Sequence, residues 1–374
     1  MPVSPAIAEQ LAQVIGVLYA EAELALIERI QRWLAADIEA PYWLSAKLAS
    51  VRDVQAAVQA ILDALATDAD GKIRQALAEA YGRGQQAAVA ELGALATGQA
   101  AAAAVAIPGA PVVDRLAREV IDGMGPVYSR ILRTPTDVYR AVVATATPRT
   151  LLGVETRRET SQRVLDGLAS RGVTGFVDTS GRAWDMASYA EMAVRSATGR
   201  AAIEAHTDRL GAAGVDLIIV SEQPLHCKKC DPWAGKILTR TSGQGGARTV
   251  EVEHATRDGE TVTVEVAGSL PQARAAGLLH PNCRCSISAY LPGVTRPMST
   301  PPHPQGATYE DTQRQREMER HVRRWKRRAA AAMTDDERRR ANARVREWQA
   351  AIRALTDEKG LRRKPQREQI KSAR

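Results

Sequence analysis

The sequence predicts a predominantly helical α+β protein with three parts. These are a helical amino-terminal region, a small α+β domain carrying a β-hairpin insertion, and a basic amphipathic helical tail. Three observations predict it. Apolar residues step by three or four over long stretches at both ends of the chain, as a helix with one buried face requires. Alternating Val and Thr appear only in the middle, in "RTVEVEHATRDGETVTVEV", the period of a half-buried strand. The last 68 residues, 307–374, hold 21 Arg or Lys against 11 Asp or Glu.

Residues 1–94 form the helical amino-terminal region. Leu11, Ile15, Leu18 and Ala22 share one face of a helix over 6–38, and two more helices are expected near 53–66 and 72–93. Residues 95–112, "LATGQAAAAAVAIPGAPV", read as a linker of small residues closed by prolines. Connecting helices come next over 113–149, near 113–132 and 136–146.

The α+β domain spans 150–292. "RRETSQRVLDGLASRG" reads as a helix with Gly172 as a left-handed cap. "GFVDTSGRAW" reads as two short strands about a Ser-Gly turn, and a long helix runs from Met186 to the glycines after Leu210. "VDLIIVSEQ" is an apolar strand, and Asp258-Gly259 marks the turn of the hairpin. Residues 293–306 belong to "YLPGVTRPMSTPPHPQG", which holds five of the 18 prolines and is expected to be an extended linker.

The tail, 307–374, carries two narrow apolar stripes. Met318, Val322 and Trp325 lead into Ala329 and Ala332; Ala341, Val345, Trp348, Ile352 and Leu355 repeat the spacing. Thr334 and Glu337 fit a capping box that separates two helices, and Gly360 suits the end of the second. The stripe Met318, Val322, Trp325, Val345, Trp348 and Ile352 is therefore a candidate interaction surface.

Composition narrows the function classes. Aromatic residues make up 4%, and Phe176 is the sole phenylalanine, so the core is built from Ala, Leu, Val and Ile. No stretch reaches the ~18 uninterrupted apolar residues of a membrane span. The first thirty residues carry Glu9, Glu21 and Glu23 and lack a basic leader, which reads as a helix rather than a signal peptide. A reducing cytoplasm is the expected site of synthesis, and there clustered thiols bind metal more often than they pair. The tail's net charge is +10 and the whole chain's +8, which leaves the rest of the chain near neutral.

All four cysteines lie in "HCKKC" at 226–230 and "HPNCRC" at 280–285. Thiolate and imidazole are the donors Zn²⁺ prefers, and a structural site takes four of them. Cys227, Cys230 and Cys283 are the expected ligands, with His280 or Cys285 as the fourth; His226 is a poorer candidate. Such a zinc would staple the hairpin insertion onto the apolar strand. A zinc deaminase would need H-x-E before P-C-x-x-C. The nearest upstream stretch is His206-Thr207-Asp208, and His226 stands where that motif has proline. An HNH-type nuclease would need a further His-Asn pair, and no Gly-rich phosphate loop is present.

Four segments occur in one order: "FVDTSGRAWDMASYAEM", "GVDLIIVSEQPLHCKKCDPWAGKIL", "GLLHPNCRCSISAYLPG", and the tail with "QREMERHVRRWKRR" and "ARVREWQAAIRAL". That order resembles the phage minor capsid protein 2 family, relatives of Mu F-type head morphogenesis proteins. The resemblance covers about 110–374. It implies a structural virion component, not an enzyme, that acts in head assembly near the portal and in DNA packaging or delivery. It implies portal and capsid proteins as partners, and the host cytoplasm and then the virion as its location. It also maps the family's Cys/His elements onto Cys227, Cys230, His280, Cys283 and Cys285, and matches Asp178, Gly181, Arg182, Trp184, Tyr189 and Glu191.

The rival expectation is a zinc-dependent nucleic-acid-processing enzyme with a DNA-binding tail. Two readings of the tail stay open. Arg323, Arg324, Lys326, Arg327, Arg328, Arg338, Arg339 and Arg340 could bind double-stranded DNA through released counterions. The interleaved Arg and Glu of "REMERHVRR" would equally suit the solvated faces of helices docked on protein.

Overall fold

A computed structural model describes residues 5–93, 109–151, 155–172, 176–177, 183–222, 225–241, 246–281, 283–297 and 303–370. Helix accounts for 68% of the described residues, and the main sheet has five strands, so helices dominate as the periodicity predicts. The linker read at 95–112 lies mostly outside the described residues, as do Asp178, Gly181 and Arg182 and residues 298–302 of the Pro-rich stretch.

The helices are α1 (Pro5–Ala35), α2 (Trp43–Leu92), α3 (Ala110–Ile131), α4 (Thr134–Leu151), α5 (Arg157–Arg171) and α6 (Met186–Ala212). A two-stranded ribbon, β1 (Phe176–Val177) with β2 (Ala183–Trp184), precedes α6. Two expected helices near 53–66 and 72–93 are one, α2, of 50 residues. Gly71 at the expected break has open space around it, and a lone glycine weakens a helix by only about 1 kcal/mol. The buried positions Val58, Leu62, Leu65, Ala69, Ile73 and Leu77 run through that point without a change of face.

The chain divides into two compact units. The first comprises 1–13, 72–120 and 192–309. It contains β3 (Leu217–Val220), β4 (Ile237–Thr239), β5 (Arg248–His254), β6 (Arg257–Ser269), α7 (Leu270–Ala275) and β7 (Ile287–Ala289). The sheet order is β5-β6-β4-β3-β7, antiparallel except for the β4–β6 pair. Ala88 and Leu92 of α2 and Ile203 and Leu210 of α6 join Ile218, Val220, Leu238 and Ile287 of the sheet in one core. Gly84 lets α2 and α6 touch, since a Cβ there would sit 2.1 Å from the Ala202 carbonyl oxygen.

The hairpin forms, but its turn is not at Asp258-Gly259. Strand β5 closes onto β6 through Ala255 and Thr256, with His254 opposite Arg257 and a bulge after Glu253. Packing fixes that choice. The Ala255 amide donates to the Pro292 carbonyl (2.9 Å), and the Thr256 amide donates to His254 Nδ1 (3.2 Å). Gly259, at φ +78°, supplies the positive φ that the displaced residues need.

The second unit comprises 14–71, 121–191 and 310–374. Its last helices are α8 (Tyr309–Ala330) and α9 (Asp335–Lys359). Thr334 and Glu337 form the capping box between them, and Gly360 adopts the left-handed conformation after α9. Gly172 has φ +82° but ψ 160°, so it ends α5 without a left-handed cap. Its lack of a side chain is needed instead for space: a Cβ would meet Glu23 at 2.7 Å and Asp185 at 2.8 Å. In α1 the stretch Ala6–Ala35 is, among the described residues, the one helix long and apolar enough to cross a membrane, and half of it is buried. Ile27, Ile30 and Leu34 are fully buried, as in the core helix of a globular unit.

Candidate metal centre

The sheet explains why the two cysteine segments meet. Strands β3 and β7 are antiparallel neighbours, with Val220 opposite Ile287. The chain leaving β3 and the chain entering β7 therefore lie at the same end of the sheet. The pairing runs one step further, as Ser221 donates its amide to the Ser286 carbonyl and Ser286 donates its amide to Ser221 Oγ, both at 2.8 Å. Cys227 and Cys230 come after it on one side, and Cys285 and Cys283 precede it on the other.

Each segment is a tight turn. The amides of Cys230 and Asp231 donate to the Cys227 carbonyl, and Asp231–Trp233 make a single 3₁₀ turn. On the other loop the Cys283 amide donates to the His280 carbonyl, and the Cys285 amide donates to Cys283 Sγ at 3.3 Å. The side chains converge into two overlapping groups, Cys227–Cys230–His280 and Cys230–Cys283–Cys285, with Cys230 common to both. Donor atoms within each group lie within 4.8 Å of one another. Sγ separations are 3.7 Å for Cys227–Cys230 and 3.4 Å for Cys230–Cys283, and Cys227 Sγ lies 3.0 Å from His280 Nε2. Tetrahedral Zn–S bonds of about 2.3 Å imply S···S edges of about 3.8 Å. The Cys230–Cys283 pair therefore stands slightly closer than a metal would hold it, the two groups do not merge into a single four-donor set, and each could hold an ion. The cysteines form no disulfide.

The electrostatics divide the thiols. Hydrogen bonds from Cys230 and Cys285 hold the Cys283 thiol well below its ordinary range. The same contacts push Cys230 up. Burial works against a Cys227 thiolate, but the hydrogen bonds from His280 and from the Lys229 and Cys230 groups together override it and lower its pKa. His280 is drawn up by that contact and by its bond to the Pro281 carbonyl, against burial.

His226 turns to Asp231, with Nε2 2.7 Å from Oδ1, and belongs to neither donor group. His206 is fully buried and bonds Glu91, whose carboxylate also accepts from the Ala289 amide. The His206-Thr207-Asp208 stretch is thus part of helix α6, tied to the sheet, and lies outside both donor groups.

In the tail, Met318, Val322, Val345, Ile352 and Leu355 form one buried cluster, with Trp325 and Trp348 packed against it. The two stripes of the tail cover each other. The basic block of α8 makes most of its contacts inside the unit. Arg327 is 4% exposed and inside the unit. It donates to the Ala169 carbonyl at 3.0 Å and pairs with Glu23 (3.3 Å) and Asp185 (3.8 Å). Arg323 donates to the Arg367 carbonyl and Ser188 Oγ, and Lys326 donates to Gln369. Arg328 pairs with Asp166 and lies over the Trp325 ring, and Arg324 is half-buried. Arg338, Arg339 and Arg340 on α9 are exposed. The buried partners Glu23 and Asp185 escaped the sequence reading. Glu23 carried a signal, as an acid inside the apolar run "YAEAELALIERI".

Fold and site describe a helical protein with one thiol-rich centre able to hold a metal. The sequence as a whole narrows this to a structural protein of a phage. A profile of the family described as phage minor capsid protein 2 matches residues 3–357, and the chain belongs to that family. The match takes in residues 3–110, ahead of the four segments that carry the resemblance. No curated protein and no solved structure matches the chain.

Proposed function

We propose that this phage minor capsid protein acts near the portal during head assembly and DNA packaging or delivery, in a structural role. We further propose that a zinc ion held by its thiol cluster staples the small sheet. The observation that carries the virion role is the family match over nearly the whole chain. Portal and capsid proteins are the partners this reading names, with assembly in the host cytoplasm before entry into the virion. Mass spectrometry of purified particles tests it. The chain should be present at far lower abundance than the major capsid protein. Absence from both procapsids and mature particles would remove the reading.

The staple reading rests on the convergence of donors from two loops. Cys227, Cys230 and Cys283 would be three ligands. His280 is the fourth, because its Nδ1 already engages the Pro281 carbonyl at 2.7 Å while Nε2 faces Cys227. An outer hydrogen bond of that kind orients a ligating imidazole. Four protein donors leave no open position for a substrate, which supports a structural metal over a catalytic one. Elemental analysis should find about one zinc per chain. His280→Ala should lower the zinc content more than Cys285→Ser, and the reverse order would move the fourth ligand to Cys285.

A further inference from the structure

We propose that the outer face of α9 is the surface through which this protein meets duplex DNA, and that the basic block of α8 is not. The sequence offers both blocks equally. The structure separates them.

Four of the five basic side chains in the α8 block are engaged within their own unit. Arg327 is buried in an ion-paired cluster, Arg323 and Lys326 hold the chain around 367–369, and Arg328 is paired and stacked. Reaching a phosphate would require breaking these contacts. Helix α9 differs. Between 338 and 354 it carries Arg338, Arg339, Arg340, Arg344, Arg346 and Arg353, all exposed, against one acid, Glu347. Arg338, Arg339 and Arg344 have one carboxylate partner each, at positions three residues away. Such exposed pairs add little stability and exchange readily for a phosphate. Arg340, Arg346 and Arg353 make no ion pair among the described residues.

Spacing and shape fit the same partner. Arg339, Arg346 and Arg353 recur every seven residues, so they form a line with steps of about 10.5 Å on the side opposite Ala341, Val345 and Ile352, which are buried. The exposed residues between them include Asn342, Ala343, Ala350 and Ala354. The arginines are thus the projecting groups on a face of small residues, which lets a polyanion approach closely. The remaining acids of the helix sit at its ends, in Asp335, Asp336 and Glu337 and in Asp357 and Glu358. Contacts of this kind go to phosphates and carry no sequence preference.

The proposal rests on the virion role only for naming DNA as the polyanion, and binding in solution tests it separately. Folded full-length protein is titrated onto a mixed-sequence 30-base-pair duplex by fluorescence anisotropy from low to physiological salt. The wild type should bind, with affinity falling steeply as salt rises. Arg340→Glu, Arg346→Glu and Arg353→Glu together should cut low-salt affinity on the order of tenfold and flatten the log–log salt slope by about 0.9 per lost phosphate contact. A charge-matched control, Arg52→Glu, Arg133→Glu and Arg140→Glu, reverses exposed arginines elsewhere in the same unit and should keep most of the affinity and slope. Thermal melts confirm that both variants fold. No binding by the wild type at low salt would overturn the proposal, as would equal losses in the two variants. Unchanged DNA affinity in the α9 variant, with failure to enter particles, would overturn it in favour of an acidic protein partner.

Discussion

Two clusters of titratable side chains carry the testable chemistry of this protein. The first is the thiol cluster. If a metal staples it, binding free energy becomes folding free energy for the loops it joins. Cys283→Ser should then abolish zinc binding and open 225–290 to limited proteolysis, while the helices of the second unit stay protected. Metal-free protein with unchanged thermal stability would contradict the staple. The second set is Arg327 with Glu23 and Asp185. Removing one partner of a buried pair strands the other's charge, at a cost of about 3–5 kcal/mol. Arg327→Met should lower the melting temperature accordingly, and adding Glu23→Gln should recover part of the loss. The same cluster sets an acid limit. Burial opposes the Asp185 carboxylate, but the guanidiniums of Arg327 and Arg323 and the bonds from Ser188 hold its pKa below the ordinary value. Its contribution is complete above the unfolded carboxylate pKa of about 3.9 and is lost as pH falls through the depressed folded value. Thermal melts from about pH 5 down to about pH 2 should show that loss, and Asp185→Asn should flatten it.

At the scale of elements, local signals and packing did different work. Helix α9 begins where the sequence says it should, because Thr334 and Glu337 satisfy each other's backbone amides. Thr334→Ala should cost about 1 kcal/mol, measured by chemical denaturation of the full chain. The same reciprocal cap opens α5 at Thr156 and Glu159. The hairpin shows the limit of such signals. Asp258-Gly259 is a strong local turn sequence, yet the docking of Ala255 onto Pro292 moves the reversal to Ala255-Thr256. The pairing of the tail stripes was legible as spacing, but two amphipathic stripes can as easily await a partner as cover each other. Only the cluster of Met318, Val322, Val345 and Ile352 settles which. Trp325→Ala with Trp348→Ala should therefore lower the stability of the isolated protein, read as a drop in melting temperature, before any partner is present.

At the scale of the whole molecule, periodicity and composition settled the helical majority, the confinement of the strands to the middle of the chain, and the placing of all four cysteines in two short segments. These depend on residue type and spacing over short distances, which a sequence displays directly. The four ordered segments likewise carried the family, which the profile extends to residue 3. Tertiary structure decided the rest. It joined two expected helices into α2, because one continuous buried face outweighs a lone glycine. It set the adjacency of β3 and β7 that brings Cys230 to Cys283 across 53 positions. It also divided the tail's charge. In "HVRRWKRR" and "ERRRANARVRE" the sequence shows only arginines. Whether a guanidinium faces solvent or a buried carboxylate depends on what packs against its helix. Glu23 lies 304 positions from Arg327, a separation over which sequence spacing carries no information.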